Sequence, residues 1–131
     1  MSTTDPYIPL ILIVDDNRGI RELMNYGLKR EYRIVEAETG VEALEKLKDE
    51  VPDLVITDLM MPEMDGMELL KRLRENADLK HLPVIFLSAK TGIDTQVTAL
   101  EAGAEVFVTK PFKMELLKAQ VKSLLNFRQR G

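Results

Sequence analysis

A chain of 131 residues with 45% hydrophobic and 31% charged side chains has room for one globular domain with a real core, and it lacks the composition of a disordered segment. An excess of 22 acidic over 18 basic residues, a formal charge of -4, argues against a domain built to grip nucleic-acid phosphates. No cysteine is present for a disulfide, thiolate metal site or nucleophile, the single histidine (His81) cannot build an imidazole-rich centre, and no apolar run nears the ~18 residues of a membrane span, so the expectation is a cytoplasmic domain.

Residues 1–8 read as a leader or linker, 9–127 as the domain and 128–131 as a C-terminal tail. Leu10 to Val14 is a continuous aliphatic run, the pattern of a strand buried on both faces. From Asn17 the period changes, and Ile20, Leu23, Met24 and Leu28 predict one face of a helix. Tyr32 to Ala37 predicts a second strand, placed at a sheet edge by its interleaved charges. Gly40 opens a helix with Ala43, Leu44 and Leu47 that ends before Val51-Pro52, and Leu54 to Thr57 is the third strand. A loop with Met60, Met61, Pro62, Met64 and Gly66 leads into a helix from about Asp65 to Asn76, with Met67, Leu70 and Leu73 facing inward.

Val84 to Leu87 is the fourth strand, and a helix from about Asp94 to Ala102 stops at Gly103, as a left-handed C-terminal cap requires. Glu105 to Thr109 is the fifth strand, and after Lys110-Pro111 the last helix carries Leu116, Leu117, Val121, Leu124 and Leu125. Five strand–helix units with aliphatic strands predict a doubly wound α/β fold, a parallel sheet with helices on both faces. The units are not alike in sequence, which excludes a solenoid.

In such sheets the functional crevice lies at the carboxyl ends of the strands. Asp15 and Asp16 follow the first strand, Asp58 the third, Ser88 the fourth and Lys110 the fifth. Three carboxylates held close raise one another's pKa unless a cation compensates them, and an oxygen-only set favours magnesium, manganese or calcium over zinc. A carboxylate can attack phosphorus to form an aspartyl phosphate, with a metal and a lysine stabilising the charge on the phosphoryl oxygens. Each residue has a plainer role open to it: Asp16 or Asn17 as a helix cap, Ser88 as a turn serine, Lys110 as a solvated lysine. Their joint placement at converging strand ends favours the chemical reading.

The segments Ile11-Leu12-Ile13-Val14-Asp15-Asp16-Asn17, Asp58-Leu59-Met60-Met61-Pro62-Glu63-Met64-Asp65-Gly66, Leu87-Ser88-Ala89 and Lys110-Pro111-Phe112 resemble the receiver domain of two-component response regulators, over about residues 8 to 127. The resemblance implies a flavodoxin-like sheet of strand order 2-1-3-4-5. It implies Asp58 as phosphoacceptor for a phosphoryl group from a histidine kinase or phosphotransfer protein. Asp15, Asp16, Asp58 and the backbone carbonyl of Met60 would bind Mg2+, or Mn2+ in its place. Ser88 and Lys110 would contact the phosphoryl group, the Lys110-Pro111 peptide would be cis, and Phe107 would be the switch aromatic. The readout surface, often a dimer face, would be the fourth helix, fifth strand and fifth helix, about Asp94 to Phe127.

Met60 and Lys90, two residues beyond Asp58 and Ser88, fall where the family tunes loss of the phosphoryl group. Lys90 reads as a surface lysine, and an unchanged phosphoryl half-life in Lys90→Ala would remove any further role. Phe107 can equally be core packing. His81 reads as a turn histidine, so the chain receives phosphoryl groups and does not donate them. The last helix carries Lys113, Lys118, Lys122, Arg128 and Arg130 against Glu115, which reads first as cations placed toward a helix C-terminus and second as a partner-binding or linker helix. The expected role is that of a phosphoacceptor and not of an enzyme, within a hybrid sensor kinase first, or a DNA-binding or stand-alone regulator, with an unphosphorylated interaction module as the alternative. A haloacid-dehalogenase phosphatase would need a second acid two residues after a first-strand nucleophile, and a flavodoxin-type cofactor site would need a phosphate-cradling loop after that strand. Neither pattern is present.

Overall fold

A computed structural model describes residues 7–89 and 92–130, with side chains as far as Asn126. The elements run β1 (Leu10–Val14), α1 (Arg18–Leu28), β2 (Arg33–Ala37), α2 (Gly40–Asp49), β3 (Leu54–Asp58), α3 (Gly66–Arg74), β4 (Val84–Ser88), α4 (Ile93–Glu101), β5 (Val106–Thr109) and α5 (Met114–Arg130). The five strands form one sheet in the order β2-β1-β3-β4-β5, and every neighbouring pair is parallel. The expected α/β fold and strand order are both present. Parallel neighbours need crossover connections, and α1 to α4 supply the four that join successive strands.

Alternation along the strands divides the core in two. Ile11, Ile13, Ile56, Ile85 and Leu87 face Met24 and Leu28 of α1 and Leu117, Val121 and Leu125 of α5. Leu12, Val14, Val55, Val84 and Phe86 face the other way, onto α2, α3 and α4. Both faces of β1, β3 and β4 are therefore covered, which is why those strands read as unbroken aliphatic runs. β2 pairs with β1 alone, so its charged residues sit at an edge as expected.

Side-chain caps fix where the helices begin. Asn17, Thr39 and Asp65 accept hydrogen bonds from the backbone N–H of Ile20, Glu42 and Glu68 at 3.0, 3.0 and 2.9 Å. Gly103 adopts φ 110°, the left-handed region, as the C-terminal cap of α4 requires. Its N–H reaches the Leu100 carbonyl, and that of Ala104 reaches Ala99, both at 3.1 Å, closing the two-bond capping motif.

Two expected core positions lie outside. Leu23 and Leu116 are 48% and 52% exposed. Each sits one residue, about 100° of helix, away from the stripe its neighbours Met24 and Leu117 define. In α1 the inward position three residues before Met24 is taken by Arg21, and in α3 Leu69 is fully buried beside Leu70 and Leu73. α5 continues to Arg130, over most of the stretch set apart as a tail, since nothing in Arg128-Gln129-Arg130 breaks a helix. None of the described helices is long and apolar enough to cross a membrane.

Candidate functional site

The chain leaves β1 in one direction to form β2 and returns past it to form β3, so the carboxyl ends of β1 and β3 border the point where strand order reverses. Asp15 stands there with no exposed surface. Its N–H donates to the Ala37 carbonyl at 3.1 Å, and its Oδ1 accepts from the Asn17 N–H at 2.9 Å, which folds the carboxylate back over the start of α1. Asp16, next in the chain, is exposed. Asp58 ends β3, nearly buried, with Oδ1 accepting from the Met60 N–H at 3.1 Å. Behind it the Gly66 N–H donates to the Leu59 carbonyl at 2.9 Å, and a Cβ on Gly66 would run into the Asp58 carbonyl oxygen, so only glycine lets α3 start this close to the site.

Lys110 completes the group from the far side. Its backbone N–H donates to the Ser88 carbonyl at 2.8 Å, and the peptide to Pro111 is cis as expected. Its ammonium Nζ donates to Asp15 Oδ2 at 2.9 Å and to Asp58 Oδ2 at 3.0 Å, across sequence separations of 95 and 52 residues. Carboxylate oxygens of Asp15, Asp16 and Asp58 lie within 4.8 Å of one another. An all-oxygen set of this spacing, with no imidazole or thiolate nearby, fits a hard divalent cation such as Mg2+.

Burial pushes the Asp15 carboxyl above its ordinary value, and the neighbouring Asp58 charge adds to that. The Lys110 bonds and the Asn17 amide offset only part of the rise. For Lys110, burial acts downward, but its hydrogen bonds to Asp15 and Asp58 and their charges outweigh it and hold the ammonium above the ordinary lysine value. A raised carboxyl pKa in the folded state means that folding is favoured by protonation. Metal-free protein therefore gains stability from Asp15 as pH falls through its raised folded-state pKa, and that gain is complete below the ordinary 3.8. The Lys110 contribution is present below 10.5 and is lost only as pH rises through the higher folded value, outside the neutral range. Asp15→Asn is accordingly expected to be more stable than the native sequence at pH 7 without metal, with the difference shrinking as pH falls through the raised Asp15 pKa. Urea midpoints of both proteins against pH would measure this, and a difference independent of pH would contradict it.

Ser88 is buried at the end of β4, beside the end of β3 through the Asp58–Leu87 register and beside the end of β5 through the Ser88–Thr109 register. Phe107 is half-buried on β5 and meets the buried Phe86 edge-on, with ring centroids 6.5 Å apart. Met60 is 57% exposed, directly after the site. Lys90 lies outside the described residues, and His81 is exposed in a turn. Sequence reasoning missed Arg21, 8% exposed, whose Nη1 donates to the Asp15 carbonyl at 2.6 Å. The available signal was its spacing, since Arg21, Met24 and Leu28 share one helical stripe.

The model of the response regulator receiver domain matches residues 11–122. Response regulator MprA of Mycobacterium sp. (strain KMS) is 40% identical over 116 residues, covering 88% of this chain and 50% of MprA. Histidine kinase P4 of Formosa agariphila is 36% identical over 120 residues, covering 92% of this chain and 9% of the kinase. The chain thus spans at most about half the length of these relatives. Among solved structures, the signal receiver domain of a signal transduction histidine kinase from Syntrophus aciditrophicus superposes with a TM-score of 0.87 at 38% identity, covering 94% of each chain. Chemotaxis protein CheY4 of Vibrio cholerae gives 0.85 at 29% identity, covering 90% of this chain and 99% of its own. The matched span begins within β1 and ends within α5, and the chain therefore belongs to the response regulator receiver domain family.

Proposed function

We propose that this chain accepts a phosphoryl group on Asp58 from a histidine kinase or phosphotransfer protein and uses it to switch an interaction surface. The observation that carries the reading is the Lys110 ammonium bridging Asp15 and Asp58, at 2.9 and 3.0 Å, beside a third carboxylate. A carboxylate oxygen of Asp58 bonds to phosphorus while the donor's P–N bond breaks, and the departing imidazole keeps that electron pair and takes up a proton. The Met60 amide and Lys110 hold the Asp58 carboxylate in place for attack. Asp15, Asp16, Asp58 and the Met60 carbonyl would hold Mg2+, or Mn2+ in its place, which when bound supplies positive charge to the phosphoryl oxygens. The chain is consumed as acceptor in each event and then regenerated by hydrolysis, so it is not a turnover enzyme acting on a separate substrate.

An acyl phosphate brings about -1.5 to -2 charge and three acceptor oxygens. Lys110 and the Ser88 hydroxyl are the donors that would meet them, drawing the end of β4 inward and letting Phe107 pack more deeply. Moving a population from 1:99 to 99:1 takes about 5.5 kcal/mol of differential stabilisation, within reach of two or three charge-assisted bonds and a metal bridge. The surface of α4, β5 and α5 is the readout face and a dimer face. Its support is the exposed apolar set Ile93, Val97, Leu100 and Leu116. The acidic balance favours protein partners over nucleic acid, and a cytoplasmic receiver within a hybrid sensor kinase or a response regulator is the parent we favour.

Intact mass after incubation with acetyl phosphate tests the reading. One added phosphoryl mass that requires Mg2+ and vanishes with chelator is expected. A chain that binds Mg2+ yet gains no mass from acetyl phosphate or from a kinase core would instead be an unphosphorylated interaction module.

A further inference from the structure

Arg21 carries a charge into a nearly closed position, and the sequence offers no catalytic reason for it. It is the fourth residue after the Asn17 cap, and its N–H makes the first helical bond, to the Asn17 carbonyl at 3.1 Å. Side chains in a helix lean toward its N-terminus, so from this position a long side chain returns to the loop between β1 and α1. There Nη1 donates to the Asp15 carbonyl at 2.6 Å, Nε to Glu36 Oε1 at 3.1 Å, and Nη2 lies 3.6 Å from Glu38 Oε1. Glu36 is held in turn by the Asn25 amide at 2.8 Å. One guanidinium thus ties the loop that presents Asp15 and Asp16 to the end of β2.

We infer that Arg21 is a positioning residue for the divalent cation: it fixes the Asp15–Asp16 peptide so that both carboxylates converge with Asp58 before the cation arrives. The inference rests on the Mg2+-dependent reading above. Asp15 is held through its N–H by Ala37, through its carboxylate by Asn17 and Lys110, and through its carbonyl by Arg21. The Ala37 and Lys110 bonds act before the Asp15–Asp16 peptide, whereas the Asn17 N–H closes over that peptide and Arg21 holds its carbonyl, so these two together set its direction and with it Asp16. Asp16 is exposed, so its placement depends on the peptide that carries it. Outer-shell contacts that orient metal ligands are worth about 10- to 100-fold in metal affinity, and a contact through the backbone belongs at the lower end. Lysine cannot substitute, because a single ammonium does not reproduce a planar fork that serves a carbonyl and a carboxylate together.

The test is a Mg2+ titration of the full chain, followed by the backbone amide resonances of residues 15–17 and 58–60, in native protein, Arg21→Met, Arg21→Lys and Asn25→Ala. Arg21→Met and Arg21→Lys are expected to raise the Mg2+ Kd about tenfold and to shift the Asp16 amide nitrogen in the metal-free protein. Asn25→Ala, which removes a Glu36 partner but no Asp15 contact, is expected to leave the Kd unchanged. A loss of global stability alone would lower the melting temperature of each variant without moving the Kd of its folded form. If Arg21→Met does not fold, Arg21→Lys decides by the same criterion. A native Kd in the folded arginine variants would overturn the inference and leave the Mg2+ reading standing, whereas native protein that binds no Mg2+ would overturn that reading, and this inference with it.

Discussion

Asp58→Asn is expected to gain no phosphoryl mass under conditions that fully modify the native chain, while keeping its fold. The change removes the nucleophile without removing the shape. The amide oxygen of the variant can still accept from the Met60 N–H that now donates to Asp58 Oδ1 at 3.1 Å. Lys110 keeps its bond to Asp15 at 2.9 Å, so its charge stays paired. Because one of two closely spaced buried carboxylates becomes neutral, metal-free stability at pH 7 is expected to be equal or greater. Intact mass and thermal unfolding of the same sample check both halves. A phosphorylated variant would mean that the acceptor is another residue, and an unfolded one would mean that Asp58 is needed for structure.

Lys110→Met is the second large effect. The ammonium is the only protein cation within 3.0 Å of both Asp15 and Asp58 among the described residues, and it is positioned before any charge develops. Removing one such preorganised donor costs about 10²- to 10³-fold in rate, and that loss is expected in phosphorylation by acetyl phosphate at saturating Mg2+. Mg2+ should bind the variant more tightly, because Lys110 now shares those carboxylate oxygens with any cation that arrives, and without it their mutual repulsion is uncompensated. Slower transfer with tighter metal binding separates a catalytic role from a merely structural one. Transfer at the native rate would show that Lys110 serves only as a counter-ion. Single-turnover rates at several Mg2+ concentrations measure both quantities.

The sheet was readable because burial on both faces leaves no ambiguity in Leu10 to Val14 or Val84 to Leu87, and because Gly103 and the caps mark helix ends by residue type. The acidic rim was readable for a topological reason: once the strands are parallel, whatever follows them lies on one edge. Side-chain facing within helices was less so. Leu23 is apolar and adjacent to the α1 stripe, and nothing in its chemistry says that Arg21 takes the inward place. An arginine is buried there because Glu36, Glu38 and the Asp15 carbonyl are brought to it by the ends of β1 and β2, so its spacing marks the stripe while its partners are set by the fold. The bridge from Lys110 to Asp15 and Asp58 likewise needed the fold. The sequence puts three carboxylates and a lysine at strand ends, but only the packing brings the ammonium within hydrogen-bonding distance of two of them.

The central claim is that the phosphoryl group resides on one particular carboxylate. Reduction of the acetyl-phosphate-treated chain with borohydride converts an acyl phosphate to the corresponding alcohol, and peptide mapping then locates the altered residue. The account predicts homoserine at position 58 alone, dependent on Mg2+ and absent when borohydride is added without acetyl phosphate. Homoserine at position 15 or 16, or a phosphoryl group that resists borohydride and maps to Ser88, would contradict it.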